Sequence, residues 1–313
     1  MVSGKVFPSH YFLPMHYSGA NYYGHGKVYA YQEWGSTKRS YETMNEVELP
    51  RELREPRDAY TVLMPSYNTK AMYLRECVES IKSQQGHFWI DVVCVDDGSD
   101  VLHKSILKRM LKELEASSRW VRVHYYENDT NKGITHTLVK GLVECPNELV
   151  FRMDTDDIMH PTRMVKQIEY MRENPDVMLC GTQVHMFDTN TGRISGTTSH
   201  PKVISWGDFL RRPSHWIANH PTYCFRKDAI VDIGGYNVNI HSVCEDFDLL
   251  LRVMRKYGSV HNLQEVLLHY RLHEAQITKQ LRVSGGHTDW TGVRNKMIMH
   301  YAKEESGLYV HSP

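Results

Sequence analysis

Short, unbroken apolar runs alternate along the chain with longer segments whose apolar positions recur every three to four residues. The runs are YTVLMP from Tyr60, IDVVCVDDG from Ile90, WVRVHYYE from Trp120, ELVFRMD from Glu148 and VMLCGTQVHMFD from Val177. Their length and β-branched content predict strands, and the absence of polar interruptions suits strands covered on both faces. From Tyr73 to Gln85 the apolar residues fall at Leu74, Cys77, Val78 and Ile81, with Gly86 as the stop. That spacing predicts a helix. Further helices are predicted over Leu102–Ala116, Gly133–Glu144 and Pro161–Asn174. Strand–helix repetition of this kind predicts an α/β fold, a mostly parallel Rossmann-like sheet with helices on both faces.

In such sheets ligands bind beyond the carboxyl ends of the strands. Three predicted strands end in polar or acidic groups: Ser66-Tyr67-Asn68, Asp96-Asp97, and Asp154-Thr155-Asp156-Asp157. Their convergence on one crevice predicts a site. Three carboxylates within four residues repel one another, and a divalent cation relieves that cost. Oxygen ligands suit Mg²⁺ or Mn²⁺, which also bind substrate phosphates. The alternative for these acids is a solvated turn or a cap for the helix that follows.

The 313 residues suit one large domain with additions, and Lys+Arg and Asp+Glu both total 37. A balanced charge provides no global attraction to nucleic acid. The first 57 residues are rich in tyrosine and lack a clear period, so they form an N-terminal extension ahead of a domain over 58–275. A helical C-terminal tail over 276–313 completes the expected organisation. Cys77, Cys94, Cys145, Cys180, Cys224 and Cys244 show no CxxC pair, which fits reduced thiols in a cytoplasmic protein. No apolar run is long enough to span a membrane and the N-terminus is not a secretory signal. Peripheral membrane association through the N-terminal aromatics stays open.

Taken in order, VLMPSYN, CVESIKSQQ, VVCVDDGSD, NKGITHTLVKGL, MDTDDIMHPTRM, HPTYCFRKDAIVDIGGYN, CEDFDLLLRVMRKYG and YRLHEAQIT resemble the successive motifs of family 2 glycosyltransferases of the GT-A fold. The resemblance implies an inverting, metal-assisted transfer of a sugar from a nucleotide-sugar to a hydroxyl of a glycan or other acceptor. It places Pro65, Tyr67, Asn68, Asp96, Asp97, Lys132, Gly133, Asp154, Thr155 and Asp156 around the nucleotide-sugar, with Tyr67 stacking on the base, Asp97 accepting a base N–H and Asp96 supporting that turn. It assigns Asp156, Asp157 and His273 to the metal and diphosphate, and Asp246, following Glu245, to general-base catalysis. A UDP-sugar is the expected donor; a dTDP-sugar presents the same N3–H edge. Many relatives carry Arg-Asn or Leu-Asn in the helix after Asn-x-Gly, where this chain has Leu138-Val139.

Each assignment has a plainer alternative. Glu245, Asp246 and Asp248 also suit a helix N-terminus. His273 and His220 could be ordinary satisfied histidines, although His220 and Trp216 could line the acceptor side. Trp206, Trp216 and Trp290 could pack in the core as well as stack on sugars. The rival functions are an inactive relative that only binds nucleotide or glycan, a sugar-1-phosphate nucleotidyltransferase, and a glycoside hydrolase. The nucleotidyltransferase is disfavoured by PSYNTK after the first strand, where those enzymes carry a Gly-rich loop. The hydrolase rests on paired acids alone.

Overall fold

A computed structural model describes residues 55–214, 216–240, 244–274, 276 and 290–305. The expected N-terminal extension lies outside the described residues as far as residue 54. Each predicted element forms within a few residues of its expected limits. Strands β1 (Ala59–Ser66), β2 (Trp89–Asp96), β3 (Val121–Glu127) and β4 (Leu149–Arg152) alternate with helices α1 (Ala71–Lys82), α2 (Val101–Ser117) and α3 (Ile134–Glu144). The short β5 (Ile158–Met159), α4 (Arg163–Glu173) and β6 (Leu179–Asp188) follow. Beyond them come β7 (Ile194–Thr197), β8 (Val203–Ser205), α5 (Trp206–Arg211), β9 (Cys224–Arg226), α6 (Lys227–Asp232), α7 (Glu245–Tyr257), β10 (Ser259–Leu272) and α8 (Trp290–Glu305).

The strands form one sheet in the order β3-β2-β1-β4-β9-β6-β10-β5, with β7 on β6 and β8 on β10. Pairing is parallel from β3 through β4 and again between β6 and β10. The short β9 lies antiparallel between β4 and β6. The parallel half was legible because its strands are covered on both faces. The antiparallel additions were not: β9 and β5 are three and two residues long, too short to carry a period.

Strand alternation divides the buried side chains between two cores. Val62, Met64, Val92, Cys94 and Phe151 pack with Leu74, Cys77 and Ile81 of α1, Met110 and Leu114 of α2, and Met164 and Ile168 of α4. Leu63, Val93, Val95 and Val150 face the other way, onto Leu138 and Leu142 of α3 and Phe247, Leu250 and Met254 of α7. Trp206 and Phe209 of α5 and Ile298 and Tyr301 of α8 join this second core. Thus Trp206 packs in the interior; the side chain of Trp290 lies outside the described part of the structure. All six cysteines are buried and unpaired.

Candidate active site

The carboxyl ends of β1, β2 and β4 sit side by side and open into a cavity of about 1000 Å³. Its wall includes Pro65, Tyr67, Asn68, Asp97, Gly133, Asp154, Thr155 and Asp156 from the predicted donor residues, and Trp216, His220, Glu245, Asp246 and His273 from the others. Residues as far apart in sequence as Pro65 and His273 are therefore brought together. The predicted site residues off this wall are Asp96, Lys132 and Asp157.

Asp96 is fully buried and accepts the Ser99 hydroxyl at 2.5 Å. It is the last strand residue and shares a face with Val92 and Cys94, so alternation turns it toward α2 and Tyr125, away from the crevice. Asp97, one residue on, faces the cavity. Its carboxylate accepts the Asn128 side-chain amide and the backbone N–H groups of Lys132 and Gly133, each at 2.8 Å. Lys132 thus meets the site through its backbone. Gly98 (φ +71°) makes the turn, and a Cβ there would lie 2.5 Å from the Thr130 backbone. The β1 turn is tied to the β2 turn. Asn68 (φ +47°) accepts from the Asp100 N–H and donates its own N–H to Ser99, each at 2.9 Å. Asn is among the few residues that adopt this conformation readily. Tyr67 stands at the rim, 50% exposed. The helix α3 contributes only Ile134 and Thr137 to the wall; Leu138 lies wholly in the core, and Val139, where many relatives carry Asn, packs half-buried against it.

The carboxylates of Asp154, Asp156 and Asp157 each bring an oxygen within 4.8 Å of the others. Asp154 forms an ion pair with the buried Arg152. Asp156 meets Nε2 of His273 at 2.9 Å. Asp157 is fully buried; its Oδ1 accepts the Arg271 backbone N–H at 2.9 Å, and its Oδ2 has no hydrogen-bond partner. Burial pushes the carboxyls of Asp154 and Asp157 above the usual range, and the neighbouring acids add to it. Arg152 only partly offsets the effect on Asp154. A crowded, all-oxygen set with an unpartnered buried oxygen is what a hard divalent cation would satisfy.

The sequence did not single out Arg152 and Arg271. Arg152 is 3% exposed and Arg271 2%. Arg271 donates through Nε to the Asp156 carbonyl at 2.6 Å, pairs with Glu76, and lies over the rings of Tyr73 and Phe187 at 4.5 and 4.7 Å. Two residues on, His273 lies against Tyr73 with ring centroids 4.9 Å apart. Both come from the end of β10, whose register shifts between Leu263 and Leu268 obscure the alternation that would have marked it as a strand.

At the same cavity, Glu245 and Asp246 open α7, whose first turn is acidic and whose last turn is basic, as the helix dipole favours. Asp246 Oδ1 takes the Phe247 N–H at 2.7 Å. Burial raises its pKa against the nearby Arg294 and Arg152. Glu245, 5% exposed, lies 3.8 Å from His220 Nδ1. His220 Nε2 meets the Tyr236 hydroxyl at 3.0 Å. Burial and Arg152 hold this imidazole neutral. Trp216 is 54% exposed and packs edge-on to His200 with centroids 5.3 Å apart.

Comparison with known proteins agrees with this fold. The family described as Glycosyl transferase family 2 matches residues 61–233. The chain is 31% identical over 226 residues to the amylovoran biosynthesis glycosyltransferase AmsE of Erwinia amylovora, covering 71% of this chain and 79% of that one. Among solved structures, S. aureus TarS in complex with UDP-GlcNAc superposes with a TM-score of 0.58 at 16% identity, over 78% of this chain and 66% of that one. The mannosyltransferase PcManGT of Pyrobaculum calidifontis, in complex with GDP-Man and Mn²⁺, gives 0.53 at 15% identity, over 85% and 68%. The chain thus spans about two thirds of these solved chains. It has the GT-A fold. It belongs to glycosyl transferase family 2 and is a glycosyltransferase.

Proposed function

We propose that this glycosyltransferase moves a sugar from a nucleotide-sugar to an acceptor hydroxyl, with inversion at the anomeric carbon and Asp246 as the general base. The observation that carries the proposal is that Asp246 lines the same cavity as Asp154 and Asp156, with Asp157 clustered behind them. One side can hold a diphosphate; the other can take a proton. In this reading Tyr67 stacks on the base, and Asp97, which also holds the Lys132–Gly133 turn, accepts a base N–H. Pro65, Asn68, Asp154 and Thr155 shape the ribose side. Asp156 and Asp157 would hold Mn²⁺ or Mg²⁺ with His273 next to them, and the ion would supply charge neutralisation for the departing diphosphate. Arg152 fixes the Asp154 carboxylate by an ion pair, and Arg271 holds the same turn through the Asp156 carbonyl and, by its backbone N–H, Asp157.

Asp246 takes the acceptor's hydroxyl proton as that oxygen attacks the anomeric carbon and the bond to the diphosphate breaks. The single displacement needs no enzyme nucleophile, so one base suffices. Glu245 supports His220 in this reading, and the neutral His220 and exposed Trp216 receive the acceptor. The donor is a UDP-sugar, supported by Tyr67 and Asp97 and by the UDP-GlcNAc that the TarS complex holds. A dTDP-sugar is the second donor to be tried. In this reading the domain over 58–275 carries this chemistry together with α8, whose Arg294 reaches the cavity. No helix among the described residues is long and apolar enough to cross a membrane; a cytoplasmic enzyme acting on a glycan or glycoconjugate fits this reading.

The test is a thermal-shift screen with UDP, dTDP, GDP and CDP, each with Mn²⁺ and with chelator. A ligand that binds the native state raises the melting temperature. A metal-dependent rise with UDP supports the proposal; a rise with GDP alone overturns the donor, and no rise with any nucleotide overturns the reading of the cavity.

A further inference from the structure

The family match ends at residue 233, yet one wall of the cavity is built from beyond it. Helix α8 lies against α7 and presents Arg294, Ile298 and Tyr301, spaced i, i+4 and i+7 on one face. Tyr301 is 8% exposed and donates its hydroxyl to Asp248 Oδ1 at 2.6 Å. The other Asp248 oxygen takes Arg252 Nε at 2.7 Å. Ile298 is buried in the same core as Phe247 and Leu250. One turn before Ile298, Arg294 reaches the cavity, with its guanidinium 5.1 Å from the centre of the Phe247 ring and Nη2 4.0 Å from Asp246 Oδ1.

We infer that Arg294 is a positioning residue for Asp246, so that the C-terminal helix is part of the active site. Asp246 Oδ1 is held between the Phe247 N–H and this cation, which fixes the side-chain torsion of the carboxylate. At 4.0 Å the guanidinium offsets the negative field of the neighbouring Asp154 without the close hydrogen bond that would compete for the incoming proton. Phe247 keeps the guanidinium in place from below by a cation–π contact, and the Tyr301–Asp248 bond holds the helix itself at the correct height. A carboxylate free to rotate away would still bind donor but would meet the acceptor hydroxyl less often.

This inference rests on Asp246 being the base. Its test uses the full chain and measures hydrolysis, with water as acceptor, of UDP-, dTDP- and GDP-sugars in Mn²⁺; Asp246→Asn serves as the blank. Arg294→Met should lower kcat by about tenfold or more, as loss of alignment does, with donor KM within about twofold of the native value. Arg294→Lys should recover most of the rate. Arg294→Gln is the substitute should the Met variant not fold. Native kcat in Arg294→Met overturns the inference, as does a joint change in kcat and KM that Lys does not rescue. Asp246→Asn with native hydrolysis, or no hydrolysis above the blank, removes the base reading itself and this inference with it.

Discussion

At the residue scale the site is a problem of charge. Asp154 and Asp157 are pushed above the ordinary carboxyl range by burial and by the neighbouring Asp156, whereas Arg152 is kept protonated by Asp154 in spite of burial. Replacing Asp156 and Asp157 together by Ala should abolish the metal-dependent thermal shift with nucleoside diphosphate; an unchanged shift would move the metal elsewhere. Asp246→Asn keeps size and polarity but cannot accept a proton, so turnover should fall by about 10²–10⁴-fold with the nucleotide shift intact. Native turnover in this variant would remove Asp246 as base. Tyr67→Ala should weaken nucleotide binding by about 1–3 kcal/mol if the exposed ring carries a base by stacking, measured by titration calorimetry. No loss would place the base off the ring.

At the element scale the site depends on turns that hold strand ends together. Asp97 and Ser99 bind the β2 turn to the Lys132–Gly133 and Asn68 backbones. Gly98 is the tightest point: its φ of +71° and the 2.5 Å approach of the Thr130 backbone leave no room for a side chain. Gly98→Ala should cost roughly 2 kcal/mol or more, a fall in Tm of about 4–8 °C for a domain of this size. A Tm within a degree of native would show that the turn relaxes freely. β10 is the other decisive element. It runs from Ser259 to Leu272, and its end delivers Arg271 and His273 to the acids at the end of β4.

For the whole molecule, the carboxylate cluster links stability to pH. A carboxyl whose pKa is raised in the fold favours the protonated native state, so its contribution is present below the unfolded value and is lost as pH rises through the folded one. Asp154 and Asp157 should therefore make the metal-free protein less stable as pH climbs toward neutrality. Mn²⁺ competes with those protons, and the Tm difference between Mn²⁺ and chelator should grow from pH 5 to pH 7.5. Because it is a difference, the buried histidines cancel. His220, His200, His261 and His269 have lowered pKa values through burial and cost stability in the opposite direction, as pH falls. A metal effect independent of pH would separate the ion from these acids.

The sequence by itself determined the parallel half of the sheet, the helices between its strands, and the chemical type of the site. Those follow from local signals: unbroken apolar runs, three-to-four spacing, and acids placed just after strands. Local signals alone do not separate Asp96 from Asp97; the resemblance gave the base to Asp97 and a supporting part to Asp96, and strand alternation is what sends one to the core and the other to the cavity. Nor could the sequence find Arg152 or Arg271, whose positions look like ordinary strand polarity until burial pairs them with Asp154 and Glu76. The antiparallel β9, the bulged β10 and the docking of α8 on α7 were decided only in three dimensions. Each depends on partners far away in sequence, such as Tyr301 for Asp248, and long-range packing leaves no period in the chain for a reader to follow.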